Sequence, residues 1–229
     1  MRRMLTVSTV ALIGCGTTAQ PLSSATAPLV LGSPTKRTVV IVRIPAPWYA
    51  PNFMIRRKFA QAAPEFQAVP GLERKYFTIT DDRLFGGIYL WEKRPAADAF
   101  FSPAWHERIQ KKYGTPAKVD VFDAPFVIEG ASSASSDAVA VLIPINGPAN
   151  ETPDQQLERT MRTLYPASGL VRTYLLRSSD QHAAALTLWT NRDAAKTFLA
   201  AGSAPADALI WFSAPVLIEG AARAVASGS

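Results

Sequence analysis

The sequence predicts an α+β protein in which two β-α-β-β-α-β repeats pack sheet against sheet within one chain. The stretch APFVIEGA at residues 124–131 returns as APVLIEGA at residues 214–221. An offset of about 98 residues also pairs Leu90-Trp91 with Leu188-Trp189. Within each repeat, short β-branched segments alternate in one fixed order with segments of helical period. The chain therefore contains the same small domain twice.

The repeat divides the 229-residue chain into segments. We expect a signal peptide at 1–14, a flexible tether at 15–36, a first ferredoxin-like repeat at 37–131, a connector at 132–137, a second, shortened repeat at 138–222 and a disordered tail at 223–229. A period of about 98 residues is far longer than the roughly 20 to 50 residues of solenoid repeats, so each unit should be a small domain. With 48% hydrophobic residues, the chain has enough apolar material for packed cores.

The elements of the first repeat follow from its periodicity. Residues 38–44, TVVIVRI, predict a strand, and residues 51–66 carry apolar side chains at helical spacing. After Pro70-Gly71, residues 72–80 and 84–91 predict two strands joined by a turn at Asp81-Asp82. Residues 94–112 predict a helix interrupted near Ser102-Pro103, and residues 118–128 predict the last strand. This order is that of the ferredoxin-like unit, and the second half repeats it from 138 to 218.

The strand at 84–91 is apolar on both faces. Ile88 and Leu90 point to one face, and Tyr89 and Trp91 point to the other. Helices cover only one face of such a sheet, so the second face needs another cover. We expect the equivalent face of the second repeat to cover the aromatic side, which places Trp91 in a core between the sheets. The result is a dimeric α/β barrel completed within one chain, for which a monomer suffices.

The first residues of the chain have the pattern of an export signal. Arg2 and Arg3 precede an apolar stretch at 4–13, shorter than the roughly 20 residues of a spanning helix. Its end, Leu12-Ile13-Gly14-Cys15, resembles the bacterial lipobox. The resemblance implies lipidation at Cys15, the chain's single cysteine, and, with Gly16 after it, a membrane-anchored envelope protein of the outer membrane facing the periplasm. The alternative is a secretory signal cleaved near Ala19.

Charge and motifs exclude several function classes. Loss of Arg2 and Arg3 with the signal would lower the formal charge from +6 to +4. The remaining cations are dispersed, and the cluster at residues 56–58 is interpreted as a solvated helix face, so we expect no nucleic-acid partner. Metal-ligand spacing, a phosphate loop and a G-x-S-x-G motif are absent from the sequence. A haem site would depend on His106 alone, and we expect neither a metal nor another cofactor.

Residues 70–114 resemble the YdhR-like monooxygenases of the dimeric α/β barrel superfamily. The resemblance is carried by Pro70-Gly71-Leu72, Lys75-Tyr76, the run GGIYLW at 86–91 and a helix that contains His106 and closes at Tyr113-Gly114. It implies the ferredoxin-like fold. Related branches include cofactor-independent monooxygenases of aromatic polyketides or quinols and haem-degrading or haem-using proteins. The tandem fusion, the lipoprotein leader and the shortened second repeat depart from the family pattern.

The two repeats differ where a pocket would be expected. The second repeat lacks eight residues between Phe198 and Ala214, so Trp105, His106 and Tyr113 have no clear counterparts. Three further residues of the first repeat are replaced in the second: Gly86 by Ala184, Gly87 by Ala185 and Tyr89 by Thr187. We therefore expect any pocket to belong to the first repeat. The alternative is that the second repeat is only a shortened structural cover.

The candidate catalytic residues are His106 and Tyr89, and the candidate substrate-binding residues are Trp91, Tyr76, Arg43 and Trp105. His106 can exchange protons near neutral pH, and the tyrosines can donate hydroxyl hydrogen bonds to a ligand. The alternative for His106 is a partly exposed helix position, and for the aromatic residues it is core packing. Arg43 interrupts an apolar strand where the second repeat has Leu142, so it needs an anion: Glu129, another carboxylate or a ligand.

The remaining repeated or polar residues are interpreted as structural. His182 is expected in a turn, and Glu129 and Glu219 are expected to support the fold. Two functions from different classes remain. One is an enzyme that oxidises a small aromatic or quinol-type substrate without a cofactor. The other is a noncatalytic lipoprotein that binds a small apolar molecule or a partner on the same barrel.

Overall fold

The fold is given by a computed structural model that describes residues 34–145, 150–164, 167–180, 182–200 and 210–219. The first repeat contains β1 (Arg37–Pro45), α1 (Asn52–Gln67), β2 (Leu72–Thr80), β3 (Leu84–Trp91), α2 (Arg94–Phe100), α3 (Pro103–Tyr113) and β4 (Lys118–Glu129). The second contains β5 (Val139–Ile145), α4 (Pro153–Leu164), β6 (Leu170–Arg177), β7 (Ala183–Trp189), α5 (Arg192–Ala200) and β8 (Ile210–Glu219). The predicted order of elements is confirmed. The signal peptide, Cys15 and the tail at 223–229 lie outside the described residues.

The helix predicted at 94–112 is divided as its sequence indicates. Ser102 is extended, with a ψ of 164°, and Pro103 begins α3 at a position where its missing N–H is not needed. Gly114 ends α3 in the left-handed conformation with a φ of 72°, and its N–H bonds to the carbonyl of Gln110. Because a residue with a Cβ adopts this conformation at a cost, the glycine fixes the end of the helix.

The eight strands form a closed barrel in the order β1-β3-β2-β8-β5-β7-β6-β4. Each repeat contributes four neighbouring strands, and the repeats join through antiparallel pairing of β2 with β8 and of β4 with β6. The predicted intrachain barrel is thus confirmed, and the edge pairing shows how it closes. All of its strands lie between residues 37 and 219, so this part of the chain contains every strand that the barrel needs.

The repeated endings of the sequence are the places where a strand passes from one sheet to the other. β4 pairs with β1 up to Ala124 and with β6 from Asp123 to Glu129. The register shifts across Pro125, which has no N–H to donate to a ladder. β8 likewise pairs with β5 over Ile210 to Ser213 and with β2 over Phe212 to Glu219, again with a register shift within the second ladder. The two near-identical segments therefore form the two joints of the barrel.

Mainly aliphatic side chains fill the barrel interior, together with Tyr76, Tyr174 and Phe212. Ile88 and Leu90 pack there with Leu186, Leu188 and the other members of one buried cluster. Tyr89 and Trp91 point outwards and pack beneath the helices with Trp105. The prediction that Trp91 lies between the sheets is therefore wrong. An eight-stranded barrel leaves an interior just wide enough for side chains, and on β3 it is the aliphatic face that fills this space while the aromatic face packs under the helices.

Among the described residues, no helix is long and apolar enough to cross a membrane.

Candidate functional site

The first repeat has an aromatic layer between its sheet and its helices. Its members come from α1, β2, β3, α2 and α3 and from the residue after α2: Phe66, Phe77, Tyr89, Trp91, Phe100, Phe101 and Trp105. Neighbouring rings lie at centroid distances of 4.9 to 6.4 Å, for example 5.2 Å between Tyr89 and Phe101 and 4.9 Å between Phe101 and Trp105. These distances are typical of attractive aromatic pairs. The layer is a continuous apolar environment within the first repeat.

Lys75 on β2 points into this aromatic layer. Only 2% of the residue is exposed. Its Nζ lies 2.9 Å from the ring centroid of Phe66. The centroids of Phe77 and Tyr89 are 4.0 Å and 4.4 Å from the same atom. The amine is thus enclosed by three rings, each contributed by a different element.

Burial lowers the pKa of Lys75 well below its usual value. Desolvation penalises the ammonium form, and the charge of Glu65 on α1 opposes the shift only in part. Burial also raises the pKa of Tyr89, assisted by the charge of Tyr113, so its phenol stays protonated at neutral pH. Burial therefore shifts the amine towards its neutral, proton-accepting form and keeps the proton on the phenol.

Gly87 makes room for the lysine. A Cβ at this position would lie 3.2 Å from Cε of Lys75, 3.2 Å from the Tyr89 ring and 2.9 Å from the carbonyl oxygen of Tyr76. In the second repeat the positions of Lys75, Gly87 and Tyr89 are held by Thr173, Ala185 and Thr187. In the second repeat the short Thr173 side chain occurs together with Ala185, whereas in the first repeat the long Lys75 side chain occurs together with Gly87. The two repeats thus differ at all three positions, and the expectation that any pocket belongs to the first repeat stays a prediction.

The structure brings some of the candidate residues together and separates others. Tyr89, Trp91 and Trp105 share the aromatic layer. His106 is on the exposed face of α3, where its ring makes an edge contact with the neighbouring Trp105. The structure thus matches the alternative of an exposed helix position for His106 and does not place it beside Tyr89.

Tyr76 is in the barrel interior, on the opposite face of β2 from Lys75. Its hydroxyl oxygen lies 3.0 Å from that of Tyr174, and it accepts a hydrogen bond from Arg172. Arg172 also donates through Nε to Glu129 at 2.7 Å, and Arg74 donates to the other oxygen of Glu129 at 3.3 Å. These residues form a polar cluster within the barrel, so Tyr76 has a structural role there.

Glu129 joins the two arginines of the polar cluster. Burial by itself raises the pKa of its carboxyl, but the hydrogen bond and charge of Arg172 and the charge of Arg74 lower it overall. Arg43 has a different partner, since it pairs with Asp120 on β4. Arg43 therefore has the anionic partner that the sequence predicted, and this partner is Asp120 rather than Glu129.

A separate cavity of about 530 Å³ lies where the start of β1 meets the joint between β4 and β6. It is lined by Thr35, Lys36, Arg37, Lys93, Arg94, Pro95, Asp123, Pro125 and Arg177. Two of its cations have carboxylate partners, since Arg37 pairs with Glu73 and Arg94 with Asp98. This cavity is cationic and contains neither Lys75 nor Tyr89. Its lining is mainly cationic, with Asp123 as its single acidic side chain. We place the candidate chemistry at Lys75 instead, because there an amine is enclosed by aromatic rings that suit an apolar substrate.

In the part of the chain that the structure describes, no three histidine, cysteine, aspartate or glutamate side chains gather as metal ligands. Tyr89 and Trp105 offer a hydroxyl and an indole N–H, which suit an organic molecule better than a metal ion.

Comparison with known proteins identifies the fold. No protein-family model and no curated protein matches the sequence. Solved structures do match. A predicted monooxygenase of Fusobacterium nucleatum shares 9% identity at a TM-score of 0.57, over 81% of this chain and 95% of the other. The chain has a dimeric α/β barrel fold.

A second solved structure supports the same barrel. It is a predicted monooxygenase of Lactobacillus acidophilus, with 14% identity and a TM-score of 0.52 over 80% of this chain and 96% of the other. Both matches span nearly the whole of the other chain, so these neighbours also contain the complete barrel. At such identities the likeness concerns the fold, and the resemblance to the YdhR-like family stays a prediction.

Sequence reasoning missed Lys75 as a functional candidate. The signal was present in the difference between the repeats, because Lys75 has Thr173 as its counterpart, just as Arg43 has Leu142. Periodicity alone does not tell which face of β2 meets the helices. That assignment requires the packed barrel, in which Phe66 and Tyr89 converge on the amine.

Proposed function

We propose that this barrel is a monooxygenase-like enzyme that oxidises a small aromatic or quinol-type molecule without a cofactor, in the aromatic layer of the first repeat. The observation that carries the proposal is the enclosure of the Lys75 amine by the rings of Phe66, Phe77 and Tyr89. The monooxygenase descriptions of its structural neighbours support the same reaction class. Lys75 therefore replaces His106 as the proposed catalytic residue, and Tyr89 remains a proposed catalytic residue.

The neutral amine of Lys75 suits the first step of such a reaction. It accepts a proton from an acidic C–H or O–H of the substrate, which leaves an electron-rich anion that O₂ can oxidise. For an anthrone, one oxygen atom of O₂ becomes the new carbonyl oxygen and the other leaves as water, together with the two hydrogens lost by the ring carbon. The proton held by Lys75 returns to the departing oxygen. No external reductant is needed, because the substrate supplies all the electrons.

The surrounding rings support both states of the amine. Desolvation favours the neutral base before the reaction. After proton transfer, the faces of Phe66 and Phe77 stabilise the ammonium ion through cation–π attraction. The protonated phenol of Tyr89 can donate a hydrogen bond to an oxygen of the substrate anion. A planar substrate would pack among these rings, for which Trp91 and Trp105 supply further apolar surface.

The test is oxygen uptake by residues 34–229, which contain the whole barrel, with an anthrone and a hydroquinone as substrates. We expect Lys75→Met to lower the rate by at least about 100-fold, the usual contribution of a general base. Lys75→Arg should be equally inactive, because arginine stays protonated. His106→Ala is the matched control, since His106 is a titratable residue of the same repeat on the exposed surface.

Two results would argue against the proposal. An oxygen uptake rate that is unchanged in Lys75→Met would show that the lysine takes no part in the reaction. A large loss of this rate in His106→Ala would show that the histidine does. No uptake with either substrate, from a protein shown to be folded by circular dichroism, would favour a binding function.

The cationic cavity supports a second, noncatalytic candidate. Its volume of about 530 Å³ is within the usual range for small-molecule sites, and five of its nine lining residues are lysine or arginine. Such a site suits an anionic ligand rather than the apolar ligand expected from the sequence. Mass spectrometry of molecules that co-purify with residues 34–229, compared with Lys36→Gln/Lys93→Gln, tests this function. Retention of the same anion by the variant would exclude the cavity as its site.

We also propose that the chain is a lipoprotein of the bacterial envelope, anchored through Cys15. The proposal depends on the lipobox-like LIGC sequence at 12–15. Metabolic labelling with radioactive palmitate should mark the wild-type chain and leave Cys15→Ser unlabelled. Label on the serine variant would refute the assignment.

A further inference from the structure

The loop between β1 and α1 and the first turn of α1 expose a set of large apolar side chains. Trp48 is 88% exposed, Tyr49 69%, Phe53 71% and Met54 48%. They fall within seven consecutive residues, and the rings of Trp48 and Tyr49 meet edge to face at 5.8 Å. Large apolar residues exposed together are unusual on a soluble domain and mark a contact surface.

The loop itself is held in place by hydrogen bonds. Ala50 donates to the carbonyl of Pro47, and Ala46 donates to the carbonyl of Arg83 in the β2–β3 turn. The guanidinium of Arg83 donates in return to the carbonyls of Ala50, at 2.8 Å, and Pro47. The aromatic side chains are thus displayed by an ordered loop, which lowers the entropic cost of binding through them.

Basic residues accompany the apolar ones on α1. Phe53 and Arg57 are four residues apart, as are Met54 and Lys58, so the four side chains share the exposed side of the first two helical turns. In the described part of the chain, Arg57 and Lys58 form no ion pair. Ile55 and Phe59, on the opposite side of α1, are buried in the fold.

Among the described residues, neither acidic side chain of the adjacent turn forms an ion pair with Arg57 or Lys58. Asp81 pairs with Arg192 at 2.6 Å, and Asp82 accepts a hydrogen bond from Thr80. The surface formed by residues 48–58, the aromatic-basic surface, therefore presents exposed apolar rings beside positive charge.

We propose that the aromatic-basic surface docks the barrel on an anionic lipid bilayer. Tryptophan and tyrosine prefer the interface between headgroups and acyl chains, and Phe53 and Met54 provide side chains that can enter the apolar boundary. Arg57 and Lys58 would then contact the lipid phosphates. A second copy of this chain fits less well, because a two-fold contact through this surface would bring its own cations together.

The docking surface is independent of the lipid on Cys15 and of the oxidation proposed above. It would orient the barrel with α1 and the β1–α1 loop towards the bilayer. A ligand of low water solubility would then be close to one side of the aromatic layer, since α1 also contributes Phe66 to that layer.

The experiment is co-sedimentation of residues 34–229 with vesicles, either of pure phosphatidylcholine or of equal parts phosphatidylcholine and phosphatidylglycerol. The wild type should bind the anionic vesicles more tightly. Trp48→Ala/Phe53→Ala should weaken this binding at least about tenfold, through lost apolar burial. Arg57→Gln/Lys58→Gln should weaken it about tenfold on anionic vesicles and little on phosphatidylcholine.

The matched control is Lys111→Gln/Lys112→Gln, which removes the same charge from exposed positions on α3 and should bind as the wild type does. Trp48 also provides a spectroscopic readout, because its fluorescence should shift to the blue on binding and the shift should be absent in Trp48→Phe. All replaced side chains are exposed, so thermal unfolding should be unchanged.

Three outcomes would overturn the proposal. The first is a wild type that does not sediment with anionic vesicles. The second is a Trp48→Ala/Phe53→Ala variant that binds as tightly as the wild type. The third is a vesicle-free dimer in sedimentation velocity that Trp48→Ala/Phe53→Ala converts to a monomer, which would assign the surface to a second copy.

Discussion

Tyr76 and Tyr174 occupy equivalent positions of the two repeats, 98 residues apart, and their hydroxyl oxygens lie 3.0 Å from each other inside the barrel. The two tyrosines come from β2 and β6, which belong to different sheets. Tyr76 also accepts a hydrogen bond from Arg172. The pair therefore links the two repeats through a buried polar contact that neither repeat could form alone.

We expect Tyr76→Phe to cost more stability than Tyr174→Phe. Tyr76→Phe removes two hydrogen bonds, about 2 kcal/mol of unfolding free energy, and Tyr174→Phe removes one, about 1 kcal/mol. The double variant should cost less than the sum by about 1 kcal/mol, because the shared bond is lost only once. Urea unfolding of the four proteins measures this coupling. Strict additivity would show that the hydroxyl contact contributes nothing.

Glu129→Gln should destabilise the barrel at neutral pH. The carboxylate neutralises Arg74 and Arg172, which are both buried, but it is half exposed, so we expect only about 1 to 2 kcal/mol. The folded state lowers the pKa of Glu129, so its stabilising effect is present above the unfolded pKa and is lost as pH falls through the folded value. The difference between wild type and variant should therefore shrink below about pH 4. A difference that is constant from pH 7 to pH 3 would contradict the ion pairing.

Lys75→Met should make the protein more stable, and increasingly so as pH falls. The folded state lowers the pKa of Lys75, so below the unfolded value of about 10.4 the unfolded chain binds the proton more readily than the folded one. The wild type then loses up to about 1.4 kcal/mol per pH unit until the folded lysine is also protonated. Methionine fills the same space without this penalty. Unfolding free energies measured between pH 10 and pH 6 test the trend, and parallel curves for the two proteins would show that Lys75 is hydrated.

Thr187→Val should destabilise the second repeat. Thr187 accepts a hydrogen bond from the indole of Trp189 at 2.8 Å and donates one to the carbonyl of Val141. Its loss leaves a buried indole N–H without a partner, at a cost of about 1 to 2 kcal/mol. Thr38→Val is the matched control, because the Thr38 hydroxyl is buried without a hydrogen-bond partner among the described residues. That variant should have unchanged or slightly higher thermal stability.

Gly87→Ala should impair both stability and the proposed oxidation. The new Cβ would lie 2.9 Å from a backbone carbonyl, closer than real contacts allow, so β2 and β3 would have to separate locally. We expect a loss of about 1 to 3 kcal/mol by thermal unfolding and a shift of Lys75 away from Tyr89. The reverse change in the second repeat, Ala185→Gly, tests the local origin of the effect. It should lower stability by about 1 kcal/mol without changing the oxidation rate.

Much of the fold could be predicted from local pattern. The strands at 72–80 and 84–91 and the helix break at Ser102-Pro103 follow from side-chain period and from turn residues, which act over a few residues. The candidate site was predictable only in part. Tyr89 and Trp105 were identified from differences between the repeats, whereas Lys75 was missed. His106 was selected for its chemistry although its helix position is exposed.

The sequence by itself determined the repeat, the order of the elements and the closure of a barrel within one chain. These properties depend on local conformation and on the need to bury two apolar sheet faces. Only the tertiary structure decided which face of β3 meets the helices and which carboxylate neutralises Arg43. It also placed Lys75 among three rings. Alternation along a strand separates the side chains into two faces but does not tell which face lies inside. The packed barrel decides this: Ile88 and Leu90 lie in its narrow interior, whereas Tyr89 and Trp91 lie beneath the helices.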